Sequence, residues 1–310
     1  MSRDFDTSRL KIDGVAIEDT FAEAFGMRAT RLIVTAANRA WARHAALSAT
    51  GFATSVIACG CEAGIERELS RRETPDGRPG ISILIFAMSS KDLQKQIERR
   101  TGQCLLTCPT TATYGGIAAE SAREWLGLGR NLRYFGDGFQ ISKLIAGKRY
   151  WRIPVMDGEF LCEERTGLVK SIGGGNFLIL ARDQRCALRA AERSVAAMQK
   201  VRNIILPFPG GVVRSGSKVG SKYKALPAST NDAYCPTLKG VTHSQLPAGV
   251  GAVLEIVIDG LDADSIGLAM REGIRAACAR GSERGVVAIT AGNYGGKLGP
   301  HHFHLKEILA

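Results

Sequence analysis

The sequence predicts an α+β protein made of two tandem ferredoxin-like lobes, related by internal duplication. Three observations carry that expectation. Hydrophobic spacing switches between strand and helix periods in the order β-α-β-β-α-β in each half. Glycine- and proline-rich turns punctuate the switches. The closing segments also align: strand, helix, strand, then YGG at 114–116 against YGG at 294–296.

Taken in order, RLIVTA at 31–36 reads as a strand, 38–50 as a helix ending before Gly51, and 53–59 as a second strand. The turn region PDGRPG (75–80) leads to the strand ISILIFA (81–87). A helix then starts at Ser89 or Ser90, carries Asp92 in its first turn and stops at Gly102, before a strand near 103–107. In the second half 176–181 is a strand, 183–200 a helix with Ala187, Ala190, Ala191, Val195 and Met198 on its apolar side, and 203–208 a strand. The strand at 251–260 precedes a helix at 263–280, which spaces Ile266, Met270, Ile274 and Cys278 on one face, and 286–290 closes the unit as a strand. Between the halves LRYFGDGFQ, KRYWRIPV and GEFLCEERTGLV read as antiparallel strands with a hairpin turn at Asp157-Gly158. The boundary falls near 160, giving lobes 1–160 and 161–310, the second carrying the candidate site.

With 310 residues and 45% hydrophobic content the chain can bury substantial cores. The charged start MSRDFDTSRLK lacks an apolar targeting segment, and no run approaches the roughly 18 apolar residues of a membrane span, so a cytoplasmic protein is expected. The eight cysteines are scattered, several within apolar runs, which argues against a disulfide framework. Cys59 and Cys61 with His301, His302 and His304 match no paired zinc-ligand spacing. A net charge of +11 favours anionic partners without choosing among them.

The most informative stretch is 215–237, SGSKVGSKYKALPASTNDAYCPT, which neither helix nor strand periodicity explains. Arg214, Lys218, Lys222 and Lys224 supply positive charge, and Gly216 and Gly220 let backbone N–H groups approach a ligand. Ser217, Ser229, Thr230, Asn231 and Asp232 offer donors and acceptors, making this a recognition loop for a polar anion. Asn293 and Lys297, beyond the last strand in AGNYGGKLGPHHFHL, extend the substrate-binding set.

Glu255 alternates onto the side of Val253 and Val257, opposite Leu254, Ile256 and Ile258. Desolvated there, it would keep its proton near neutrality and donate to a developing oxyanion; the competing reading is a solvent-facing glutamate. GGGN at 173–176 precedes a strand, so a dinucleotide fingerprint fails, and GVVRSGSK at 211–218 has its lysine after serine, which fails as a phosphate loop. Cys235, Ser229 and His243 show no triad signature.

The long runs GVAIEDTFAEAFGMRATRLIVTAA, ATGFATSVI, CEAGIE, ETPDGRPG, GQCLLTCPT, FGDGFQ, GGGNF, PFPGGVVRSGSKVGSK, LPASTNDAYCPT, EIVIDGL and TAGNYGGKLGPHHFHL together resemble the formylmethanofuran:tetrahydromethanopterin formyltransferase family, from about residue 13 to the C-terminus. The resemblance implies two ferredoxin-like lobes and transfer of a formyl group between methanofuran's amine and N5 of tetrahydromethanopterin. It implies no metal or prosthetic group, and tetramers built from dimers. It places the family's catalytic glutamate, in the EIVI strand motif, at Glu255. The basic charge departs from many archaeal members and suggests the bacterial type, which works within a formyltransferase/hydrolase complex in formaldehyde oxidation. The rival class, a basic RNA-binding module, lacks the paired strand aromatics of RNA-recognition sheets in NFLILA and VLEIVIDG.

Overall fold

A computed structural model describes residues 10–310. The main elements are β1 (Phe21–Thr35), α1 (Arg39–Thr50), β2 (Cys61–Leu69), β3 (Gly80–Ala87), α2 (Ser90–Arg100) and β4 (Ala112–Gly115). A hairpin of β5 (Lys148–Val155) and β6 (Gly158–Glu163) follows. The second half holds β7 (Arg165–Ala181), α3 (Gln184–Met198), β8 (Ile204–Ile205), β9 (Ala252–Gly260), α4 (Ala263–Cys278), β10 (Val286–Thr290) and β11 (His301–His304). Each of the four helices starts on a side chain that accepts an N–H three residues on: Asn38, Ser89, Asp183 and Asp262. These caps satisfy amides that the helix itself leaves unpaired.

The result is a mixed α+β architecture. In the first half neighbouring strands run β2-β3-β1-β4, and in the second β8-β9-β7-β10. The long β1 and β7 pair antiparallel from Val169↔Ala29 to Gly173↔Phe25, merging both sets into one sheet. Helices cover one face of each set. The α1 stripe Ala42, Ala45, Ala46 and Ala49 is buried on the first; on the second, Ala190, Ala191 and Met198 of α3 and Ile266, Met270 and Ile274 of α4 are buried with Phe177, Ile179, Ile256 and Ile258. Small α1 residues let the helix approach the sheet closely.

Several expected elements differ. The second strand is 61–69, not 53–59: Ser55 caps a short turn, Val56–Cys59, which ends at Gly60 with φ 79°. The strand expected at 103–107 is a π-helical turn, Thr101–Leu105, that prolongs α2 and buries Leu105; the last strand of that half is 112–115. A short apolar run does not distinguish buried helix from strand. Of 203–208 only Ile204–Ile205 pairs, because Pro207 and Pro209 have no N–H for a ladder. LRYFGDGFQ coils into helical turns over Gly129–Leu132 and Arg133–Gly136, with Asp137 left-handed at φ 50°. The hairpin at Asp157-Gly158 forms as expected, pairing Val155 with Gly158. No helix among the described residues is long and apolar enough to cross a membrane.

Candidate active site

β9 alternates as its sequence requires. Ile256 and Ile258 enter the helix-covered core, whereas Val253 packs on the opposite face beside Leu178, Leu180 and Ala288. Glu255 shares that second face, half-buried. No helix covers it there. The segment 206–251 folds over instead and is stitched to the strand at Glu255 itself, where backbone bonds run from Val213 N to Glu255 O (2.8 Å) and from Glu255 N to Val213 O (2.9 Å).

Between this segment, the edge of the first half and the C-terminal loop lies a cleft of about 730 Å³. Ser217, Lys218, Asn231, Glu255 and Asn293 line it; Arg214, Ser229, Thr230, Asp232 and Lys297 are outside the lining. Burial alone pushes the Glu255 carboxyl up to about 7. Such an acid retains its proton near neutrality and presents an O–H to the cleft.

The recognition loop forms a small hairpin, Ser217–Val219 against Ala228–Thr230. Lys218 Nζ donates to Asp232, which pulls the Asp232 carboxyl below the ordinary range. Ser229 Oγ donates to Gly220 O (2.7 Å), and Thr230 Oγ1 lies 3.4 Å from Cys235 Sγ. Those polar groups shape the hairpin. Lys222 and Lys224 are exposed beyond it.

Sequence reasoning missed Glu23. On β1 and almost fully buried, it accepts N–H groups from Tyr294 (2.7 Å), Gly296 (2.9 Å), Leu298 (2.6 Å) and Gly299 (2.6 Å). Burial opposes ionisation, yet these amides prevail and hold Glu23 at about 2. Positive φ at Gly295 (74°) and Gly296 (71°) curls the loop so that its amides converge. Asn293 is fixed by donating to Thr20 Oγ1 (3.1 Å) and Phe21 O (3.2 Å). Tyr294 stands in the lining, its hydroxyl raised by burial and then by Glu255 and Glu23. The available signal was the AGNYGGKLG glycine spacing, but nothing in it names an acid some 270 residues earlier.

The family descriptions "Formylmethanofuran-tetrahydromethanopterin formyltransferase" and "FTR, proximal lobe" match residues 10–155 and 158–308. The chain belongs to this formyltransferase family. Among its relatives, the formylmethanofuran–tetrahydromethanopterin formyltransferase of Methylococcus capsulatus is 67% identical, over 96% of this chain and 99% of that one. A component of the formyltransferase/hydrolase complex of Methylorubrum extorquens is 52% identical over 97% of this chain and 98% of its own length. The crystal structure of that complex with methylofuran superposes at TM-score 0.94 with 52% identity, covering 98% of this chain and 99% of that chain. The Methanosarcina barkeri formyltransferase gives 0.90 at 48% identity, covering 96% and 100%. Nothing in these relationships supports the RNA-binding alternative for this formyltransferase family member.

Proposed function

We propose that this enzyme moves a formyl group between N5 of tetrahydromethanopterin and the amine of a methanofuran-type carrier, with Glu255 as the catalytic acid. The half-buried Glu255, raised to about 7 on the wall of a cleft roomy enough for large carriers, supports the assignment most. The attacking amine nitrogen forms a bond to the formyl carbon while the carbonyl electron pair moves onto oxygen, where the Glu255 O–H donates to it. Collapse breaks the bond from carbon to N5, and N5 takes up the proton that the attacking amine gives up. The step consists of holding two carriers together and stabilising one oxyanion. It uses side chains alone, with no permanently bound cofactor.

Ser217, Lys218, Asn231 and Asn293 are the substrate-binding residues on the lining; Arg214, Ser229, Thr230, Asp232 and Lys297 act from the rim and supports. Both strand orders, β2-β3-β1-β4 and β8-β9-β7-β10, are those of a ferredoxin-like sandwich, which supports two duplicated lobes. The lobe boundary is placed near 160, in β6 (Gly158–Glu163), which leads into β7. Working in the cytoplasm as a homotetramer within a formyltransferase/hydrolase complex, the enzyme would pass formyl groups from tetrahydromethanopterin to the furan carrier for hydrolysis by a partner subunit.

The test mixes purified protein with formyl-tetrahydromethanopterin and a methanofuran-type amine and follows the formylated furan. Product formation that falls at least about 100-fold in Glu255→Ala supports the assignment. Equal turnover by parent and variant would remove Glu255 from it.

A further inference from the structure

A second concave site lies on the other side of the sheet from Glu255. α3 covers the face that Ile256 and Ile258 enter, and beside its first turns the turn at 279–285 encloses a cavity of about 530 Å³. Arg182 just before α3 and Arg185, Arg189 and Arg193 along it line this cavity, and Arg284 closes it from the turn. Two carboxyls also line it, leaving an excess of three positive charges, and both are already engaged. Glu283 Oε2 accepts from Arg280 Nε (3.1 Å) and Nη2 (3.0 Å). Asp183 caps α3 by accepting from Cys186 N (2.8 Å), with Arg182 Nε 3.7 Å from its other oxygen. Among the described residues no carboxylate pairs with Arg185 or Arg189.

This arrangement runs against the helix's own preferences. Arg185, Arg189 and Arg193 follow one another at i, i+4 spacing, where like charges destabilise a helix, and Arg185 stands in the first turn, where acids are favoured. α2 and α4 obey that rule with Asp92 and Asp264 in their first turns, but α3 has no acid there. Arg193 is half-buried. Its guanidinium donates to Ala276 O and Ala277 O (both 3.3 Å), and burial, then the Arg284 and Arg189 charges, holds it below its ordinary range. Gly285, with φ 83°, keeps the wall open: a Cβ there would collide with Cys186 Sγ and lie 3.3 Å from Arg182 Nη2. Like charges gathered on one wall without compensation cost stability that a bound anion returns.

We propose that this cavity binds a compact polyanion of the phosphate class, carrying two linked phosphate groups, independently of the transfer cleft. Guanidinium forks donate parallel pairs of hydrogen bonds to phosphate or carboxylate oxygens. Arginines that reach in from two elements suit a tetrahedral group, whose terminal oxygens point in several directions, better than a flat carboxylate. From Arg185 to Arg193 the helix rises roughly 12 Å, and Arg182 and Arg284 flank that line. A single phosphate covers only part of that length; two linked groups engage more of the forks. An acidic chain segment would lie along the helix surface instead of filling a cavity walled by Arg284.

Titration calorimetry of the full-length enzyme with inorganic diphosphate, at about 0.15 M ionic strength, tests this. Saturable binding at one site per chain is expected, with Kd below about 1 mM. Inorganic phosphate should bind at least about 10-fold more weakly, since it reaches fewer of the arginines. Arg185→Ala combined with Arg189→Ala removes two side chains without a carboxylate partner and should weaken diphosphate at least about 10-fold. The same change of net charge elsewhere, Lys91→Ala with Lys95→Ala on the exposed side of α2, should leave Kd within about twofold. Should the arginine double variant not fold, Arg189→Lys alone, which keeps the charge and loses the fork, should weaken diphosphate about threefold. Formyl transfer by the double variant should keep kcat and KM within about twofold of the parent, because the sheet separates the two sites. Equal affinity in parent and double variant, competition between diphosphate and either carrier, or phosphate binding as tightly as diphosphate would overturn the proposal. Tighter binding of a short Asp/Glu peptide would also overturn it and assign the face to a protein segment.

Discussion

β2 and β8 hold the same place in their respective strand orders, yet β2 has nine residues and β8 two. After β2 the chain returns to the sheet by a short turn region, 70–79. After β8 it leaves through Pro207 and Pro209 and does not re-enter a sheet of the main fold until Ala252. The faces turned away from the helices differ accordingly. In the first half, Met27, Ala29, Leu84 and Phe86 are sealed by Ile205 of the second. In the second half, the corresponding face holds Glu255 under segment 206–251, with a cleft between them. Where the repeat runs to completion its open face becomes internal packing; where it is interrupted, the face remains accessible to ligand.

The acids of the two halves follow the same division. Glu66 on β2 is buried but fully engaged: Arg31 donates to both its oxygens at 2.7 Å and Ser82 Oγ donates at 2.6 Å. Burial opposes its ionisation and the Arg31 guanidinium prevails, so Glu66 lies below its ordinary range. Glu255 is desolvated without that compensation and rises. An acid meant to hold structure is paired, and one meant to give a hydrogen bond is left with its proton.

The sharpest test is at Glu255. Loss of an oxyanion donor costs about 10² to 10³ in rate, so Glu255→Ala should lower kcat by at least that factor with little change in KM, and Glu255→Gln should retain part of the activity. In the first half the outcome should invert. Glu66→Gln breaks the Arg31 pair and should destabilise the fold by about 3 kcal/mol, read by denaturant unfolding, with kcat per folded molecule unchanged. Because Glu66 is depressed, its stabilisation is present above its unfolded pKa and is lost as pH falls through the folded one.

Glu255 has the opposite sign. It is protonated below about 7, so the kcat component that depends on its O–H should fall as pH rises through that value, and Glu255→Gln should lack this decline. Below the unfolded pKa both states carry the proton and the variant gains no stability. Above about 7 the parent bears a desolvated charge, and Glu255→Gln should be the more stable by up to about 3 kcal/mol in unfolding at pH 8 against pH 4. The smallest effect belongs to two lysines of the recognition hairpin. Substituting Lys218 and Lys222 with alanine should raise KM several-fold, less so at high salt, with a smaller change in kcat, because exposed charges are worth about 0–1 kcal/mol each. A loss confined to kcat would mean these lysines act on the chemistry.

Much of the frame was legible because strand and helix periods are local. Helices at 38–50, 183–200 and 263–280 and strands at 81–87, 251–260 and 286–290 are close to the observed elements. Misread segments were those where competing local forces are nearly balanced: Ser55 and Gly60 convert an apolar run into a turn, and QCLLT extends a helix instead of starting a strand. At the site, alternation put Glu255 on the correct side of its strand. Periodicity has no information on what covers that side, so it left exposed and buried readings open.

Glu23 was invisible for the same reason: its partners come from a distant segment. Four amides near residue 296 converge on an acid at 23. By itself the amino-acid order determined most of the long helices and strands, the glycine positions that permit left-handed turns, and the long unbroken runs that place the chain in its family. Only the tertiary structure decided which carboxyls are satisfied and which keep a proton. Desolvation and hydrogen bonding depend on neighbours in space, and the sheet brings those neighbours from anywhere along the chain.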